Sequence, residues 1–246
     1  KVEITGTLPE GVTVSYTNNK GTNAGVYNAV ATFTYDTDNY NVIPNMTAVL
    51  TIEVAQAAIT VDTKDINVIY GDTIVLPEAT TNFGEVVITK VEMINVGTYT
   101  VTYSVTGNEN YNGDTKTVNV NIAPKAVVEP TVVGTYTYNK TEQTVELNGV
   151  ESYMTVIGTK GTNAGNYEVV VTLDNNHVWA QDSDGKVAWS IAKATHDMSG
   201  IKFENSTKTY DGNEHKVEIT GTLPEGVTVS YTNNKGTNAG VYNAVA

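Results

Sequence analysis

The sequence contains no cysteine. That excludes disulfides, thiolate metal ligands and a cysteine nucleophile, and it leaves the compartment open because many exported bacterial proteins also lack cysteine. Histidine is scarce as well: His177, His196 and His215 sit in unrelated local contexts, with no H-x-x-x-H, G-x-S-x-G or P-loop pattern around them. Without a clustered constellation, no catalytic residues are expected. Basic residues are few, 14 Lys and Arg against 27 Asp and Glu, for a formal charge of −13. A phosphate backbone or an anionic bilayer surface would be repelled, so nucleic acid is not an expected partner. No apolar run approaches the roughly 18 residues of a membrane span, and membrane insertion of this segment is not expected.

What is present is β chemistry. Glycine occurs 21 times and tyrosine 15 times, amid abundant Thr, Val and Asn, the residues of half-buried strands joined by turns. Self-comparison is more informative. The 31 residues Lys1 to Ala31 recur unchanged as Lys216 to Ala246, an offset of 215. Inside this long period an N-x-G-x-Y motif appears four times, at Gly25/Tyr27, Gly97/Tyr99, Gly165/Tyr167 and Gly240/Tyr242. Its glycines are spaced by 72, 68 and 75 residues, so the long unit consists of three shorter modules.

Each motif opens a period-2 run, for example Tyr99, Val101, Tyr103, Val105 or Tyr167, Val169, Val171, Leu173. Such alternation predicts a strand with one buried face. The glycine allows a sharp entry turn, and the tyrosine buries its ring while its hydroxyl finds a partner at the core edge. A turn rich in Asp and Asn follows: DTDN before Tyr40, GNEN before Tyr111, DNNH before Val178. A closing strand then carries Leu50, Ile52, Val54, or Val118, Val120, Ile122, or Val187, Trp189, Ile191.

Cutting after the closing strands gives a partial β module at 1–55, modules at 56–124 and 125–193, and a second partial module at 194–246 of the same type as 1–55. The expected fold is all-β, a tandem array of small modules of about 70 residues, β-sandwich or β-grasp-like, forming an elongated rod. Cores this small, without disulfide or metal, need support from their neighbours. At Ala55-Gln56-Ala57 one closing strand runs almost directly into the next module, which favours stiff joints. The termini fall inside identical modules. The expectation is therefore a longer periodic array whose partial modules complement one another head to tail, 194–215 of one copy with 1–55 of the next.

Three side-chain groups invite a chemical reading. Asp182 and Asp184, in Asp182-Ser183-Asp184-Gly185, offer hard oxygens at alternate positions for calcium, the single cofactor the sequence suggests. Asp-Gly there equally makes a hairpin turn, which is the favoured reading. Trp179, beside Asn175, Asn176 and Gln181, is a candidate platform for a glycan, whereas Trp189 alternates with Val187 and Ile191 and is expected in the core. Lys64, Glu92 and Asn119 or Asn121 could supply a Lys–Asn isopeptide bond in 56–124, but the closing strand of 125–193 has no Asn, so a cross-link recurring in every module is disfavoured.

Tyr210-Asp211-Gly212 precedes a strand, and Ile69-Tyr70-Gly71-Asp72 stands at the equivalent place in another module, each followed by N-x-G-x-Y. In this the chain resembles the MBG and YDG-type repeat domains of bacterial cell-surface, adhesin-like proteins. The resemblance spans essentially the whole chain and is weaker in 125–193, where Tyr138-Asn139-Lys140 replaces the motif. It implies tandem β modules on an exported protein at the bacterial cell surface, with no catalytic residues. Independently of it, Tyr210 and Tyr70 read as anchors, and Asp211-Gly212 and Gly71-Asp72 as tight turns. The expected function is a structural stalk or fibre whose partners are neighbouring repeats. An adhesive array binding host glycan or mucin, and a laterally assembled filament or sheath, are the alternatives.

Overall fold

Sequences that alternate Thr or Asn with Val, Ile or Tyr have one face to bury and no helical stripe. Accordingly, every regular element of the computed structural model, which describes all residues from Lys1 to Ala246, is a strand, and there is no helix. The chain divides into two compact units.

The first unit comprises Lys1–Val128, Ser152–Met154 and Thr172–Ser183. It begins with β1 (Thr13–Thr17), β2 (Gly25–Thr34) and β3 (Met46–Ile52), an antiparallel sheet with β2 in the centre. The chain continues through β4 (Ala55–Gln56), β5 (Ile59–Thr60), β6 (Ile66–Ile69), β7 (Thr80–Thr81), β8 (Val87–Thr89), β9 (Gly97–Val105), β10 (Tyr111–Asn112), β11 (Asp114–Ala123) and β12 (Lys125–Val127). A four-stranded sheet runs in the order β6-β11-β9-β8, with β6 parallel to β11 and the other pairs antiparallel. β5 and β7 form a two-stranded ribbon. Val101, Tyr103 and Val105 of β9 and Val118, Val120 and Ile122 of β11 face Ala57 and Ile59, with Leu76 and Phe83 packed around them. Each such aliphatic side chain contributes about 1.5–3 kcal/mol through burial. Tyr103 is fully buried. Its hydroxyl donates to the Pro77 carbonyl at 3.0 Å, and burial pushes its phenol above the ordinary value.

The second unit comprises Glu129–Glu151, Thr155–Val171 and Asp184–Ala246. Its strands are β13 (Thr131–Val133), β14 (Tyr136–Thr137), β15 (Gln143–Thr144), β16 (Glu146–Asn148), β17 (Met154–Ile157) from its second residue, β18 (Lys160–Gly161) and β19 (Gly165–Leu173) as far as Val171. β20 (His177–Trp179) belongs to the first unit, and β21 (Lys186–Ala192), β22 (His215–Lys216) and β23 (Lys235–Gly236) complete the second. The main sheet runs β14-β21-β19-β17, with β14 parallel to β21, the same pattern as β6 beside β11. Val169, Val171, Trp189 and Ile191 are buried. The Trp189 ring stacks on Tyr167 at 4.7 Å and meets Tyr136 edge-on at 5.5 Å. Its buried indole N–H has no hydrogen-bond partner.

The three sheets share one register. Gly25 lies opposite Ile52, Gly97 opposite Ile122 and Gly165 opposite Ile191. A missing edge distinguishes the first sheet: β6 and β14 flank β11 and β21 in parallel, whereas β3 has no strand on its outer side. The inward residues respond. Val120 and Ile122 are buried, while Leu50 and Ile52 at the same register stay half-exposed.

Candidate assembly interface

The N-x-G-x-Y motif is a small hydrogen-bonded device. In all four occurrences the tyrosine hydroxyl donates to the carbonyl of the asparagine four residues earlier: Tyr27 to Asn23 (2.9 Å), Tyr99 to Asn95 (2.8 Å), Tyr167 to Asn163 (2.6 Å) and Tyr242 to Asn238 (3.0 Å). This closes the turn and lays the ring across its floor. Gly25 and Gly97 take φ of 151° and 156°, whereas Gly165 does not adopt a restricted φ and a methyl group there would meet nothing within 4 Å. At three of the four motifs the crowded glycine is a different one, four residues earlier, where the fourth has Met93. A Cβ on Gly21, Gly161 or Gly236 would lie 2.3, 2.6 or 2.1 Å from the ring of Tyr27, Tyr167 or Tyr242. Its signal in the sequence is Lys-Gly-Thr-Asn-Ala-Gly at three of the four motifs, a run whose first glycine the N-x-G-x-Y pattern leaves out.

The closed turn leaves the N–H of its second residue pointing outward, and in two places an asparagine from a later loop takes it. Asn110 accepts from the Ala24 N–H at 2.6 Å and donates to the Asn23 side-chain oxygen at 3.3 Å. Asn176 accepts from the Val96 N–H at 2.9 Å and donates to the Asn95 side-chain oxygen at 3.1 Å. Beside each Asn–Asn pair runs a short parallel ribbon: Ala55↔Tyr111 and Gln56↔Asn112 in one, Lys125↔His177 through Val127↔Trp179 in the other. The carbonyls of Asn110 and Asn176 accept from the N–H groups of Ala55 and Lys125, both at 2.9 Å. His177, rather than Val178, therefore occupies the place of Tyr111. This is why Thr172–Ser183, inside the expected 125–193 segment, packs with the first unit.

Aromatic packing surrounds the second of these Asn–Asn pairs. The His177 side chain is nearly buried, stacked on Tyr153 at 3.8 Å and edge-on to Tyr70 at 5.3 Å. Its Nδ1 lies 2.6 Å from Asp174. That hydrogen bond is the foremost cause holding the Asp174 carboxyl below the usual aspartate range, helped by the Asn176 N–H. Asp114 is lowered chiefly by the Ile59 N–H, and Asp36 chiefly by the Asn39 side chain.

The remaining sequence candidates are placed as follows. Gly71 (φ 93°) and Asp72 form a tight turn in which the Asp72 carboxylate accepts from Ile69 N–H at 3.0 Å. Asp211 caps Asn213 N–H at 2.9 Å and lies 3.0 Å from His215 Nε2, with Gly212 at φ 81° and Tyr210 largely exposed. Asp184 accepts from the Lys186 N–H at 3.1 Å, and neither it nor Asp182 gathers with other acids or histidines into a group of three that could hold a metal. Trp179 is half-buried in β20, opposite Val127. Asn119 and Asn121 lie on the outer face of β11, hydrogen-bonded to Asp65, Asn67, Thr98 and Thr100.

No family model and no curated protein matches the chain.

Proposed function

We propose that this chain is a load-bearing stretch of a tandem β-module array, a stalk or fibre at the bacterial cell surface. The observation that carries this reading is the joint built twice with the same parts: an Asn–Asn pair on a closed turn, with a parallel ribbon beside it. Backbone pairing across a joint resists hinge motion, because bending must break several hydrogen bonds together. A device repeated at fixed spacing propagates one geometry along a chain, as in solenoids and other arrays. The acidity of the chain keeps neighbouring rods apart, and the resemblance to surface repeat domains supports the exported location.

Glycan adhesion is the weaker reading, since Trp179, its proposed platform, is half-buried in the ribbon of a joint. Small-angle scattering on the dilute full chain tests the stalk. The expected particle is elongated, with a longest dimension on the order of 100 Å for three modules in line. A compact sphere or a broad ensemble of bent forms overturns the reading.

A further inference from the structure

Asparagine followed by glycine occurs twice, at Asn112-Gly113 and Asn148-Gly149, and the fold holds the two pairs differently. The dipeptide is chemically special. The backbone nitrogen after an asparagine can attack that residue's own side-chain carbonyl carbon, and glycine, having no Cβ, lets the two atoms approach. For this the asparagine must rotate about its Cα–C bond, out of the extended form. Both asparagines and both glycines are exposed, so solvent access does not separate them. Backbone freedom does.

At the first pair the backbone is clamped. Asn112 lies in β10, and its carbonyl accepts from the Ala57 N–H at 3.0 Å. The Gly113 carbonyl accepts from the Gln56 side-chain amide at 2.8 Å. There is also no room to turn: a Cβ on Gly107 would lie 2.7 Å from the Gly113 nitrogen, and one on Gly113 would lie 2.5 Å from the Val105 carbonyl oxygen. Rotation here breaks these bonds together and drives backbone into backbone. At the second pair, Asn148 is the last residue of β16, and its ladder partner is Thr131 at the start of β13. Gly149 takes a left-handed φ of 86°, and a Cβ there would come no nearer than 3.8 Å to another residue, at the Pro130 Cα. No hydrogen bond from the rest of the chain holds the Asn148 side chain, and residues 149–153 belong to no strand. Fraying one terminal ladder pair frees the rotation, a local opening that costs far less than global unfolding.

We propose that Asn148 is a site of spontaneous modification, converted to aspartate and isoaspartate with water as the co-reactant. This chemistry is independent of the array reading. The Gly149 nitrogen gives its proton to solvent and bonds to Asn148 Cγ, while the bond from Cγ to Nδ2 breaks and the amide nitrogen, taking a proton, leaves as ammonia. A five-membered succinimide results. Water then opens the ring at either carbonyl. Cleavage of the new bond gives aspartate, and cleavage of the original peptide bond gives isoaspartate, whose main chain runs through Cβ. Either product adds a negative charge to a chain already at −13. Isoaspartate also lengthens the main chain by one carbon at the Thr131–Asn148 pair, so the short ribbon of β13 and β16 loses its register there.

Mass spectrometry of the full chain, incubated folded at mildly alkaline pH and then cut at lysine, tests this. The peptide from Thr141 to Lys160 has Asn148 as its one asparagine, and the peptide from Val91 to Lys116 carries Asn112. Asn148 is expected to convert at least about tenfold faster than Asn112. In denaturant, where both backbones are free, the two rates should become nearly equal. Gly149→Ala should slow conversion at Asn148 about tenfold or more, because its Cβ obstructs the attack. In the aged chain the β13 and β16 amides should exchange faster, with those of β9 and β11 unchanged. Asn112 reacting as fast as Asn148 in the folded chain, a rate difference that survives in denaturant, or an Asn148 that converts no faster than the other asparagines each overturns the proposal.

Discussion

Asn110 and Asn176 show how one side chain can tie a distant loop to a closed turn. Each satisfies a backbone N–H that the closed N-x-G-x-Y turn cannot use itself, and each adds a second bond to the turn's own asparagine. Replacing either with Ala removes an acceptor from a partly buried donor, at a cost of about 1–2 kcal/mol. The specific signature is faster amide exchange at Ala24 in Asn110→Ala and at Val96 in Asn176→Ala, with the β9 and β11 amides unchanged. Unaltered exchange at those two amides would remove the asparagines from the joint. The glycines divide in a way that motif reading does not anticipate. Gly161→Ala drives a methyl into the Tyr167 ring and should cost about 1–3 kcal/mol by overpacking, whereas Gly165→Ala, with open space around it, should stay within about 0.5 kcal/mol. Thermal melts of the two variants decide between the motif glycine and its neighbour.

At the scale of elements, β6 and β14 show what an edge strand does for a core. Val118, Val120 and Ile122 are sealed beneath a four-stranded sheet, and Trp189 and Ile191 likewise, but Ala48, Leu50 and Ile52 are not. The same logic separates the two copies of the repeated sequence. Hydrogen exchange followed by mass spectrometry should give peptides common to 1–31 and 216–246 a two-component envelope, a slow one from β1 and β2 and a fast one from the second copy. A single envelope would mean that both copies share one environment. Acid should loosen the elements held by aspartate. Asp174, Asp114 and Asp36 have carboxyl groups held below the ordinary aspartate value. Their stabilising contribution is therefore complete above that value, about 4, and is lost as pH falls through the depressed folded values. Melting temperature should hold from neutral pH down to about 4 and then fall. In Asp174→Asn the fall should be shallower; an identical acid limb would exclude Asp174 from the linkage.

For the whole molecule, the proposed function reduces to whether the Asn joints transmit load. Pulling the full chain from its ends should give successive unfolding events, each releasing one β module, rather than a gradual lengthening through hinges. Asn176→Ala should lower the force of the first event or add an earlier, weaker one, because the ribbon of β12 and β20 then lacks its flanking pair. A force trace indistinguishable from the parent would assign the joint to folding rather than to load.

How far the residues alone reach is clearest in the 31 that occur twice. Their local structure is the same in both places. Asn18 and Asn233 both take φ of 54°, Val2 and Val217 donate to Asn19 and Asn234, and the hydroxyls of Tyr16 and Tyr231 accept from Ile4 and Ile219. Interactions within about twenty residues close at little entropic cost, and their geometry travels with the sequence. Strand alternation, the motif turns and the all-β class were legible for the same reason. The sheet did not travel. Val14 to Thr17 and Val26 to Ala31 are strand in the first copy, where β3 pairs with β2, whereas the second copy has no counterpart of β3 and keeps a two-residue ribbon and two isolated bridges, Lys202 with Thr220 and Thr232 with Val245. The Asn joints escaped the sequence likewise, since 86 and 80 residues separate their partners and nothing local in an Asn-rich turn says which distant amide it will meet. Turns are satisfied by their own neighbours; strands and joints exist only where tertiary structure brings a second backbone to them, because an unpaired edge gains nothing from being extended.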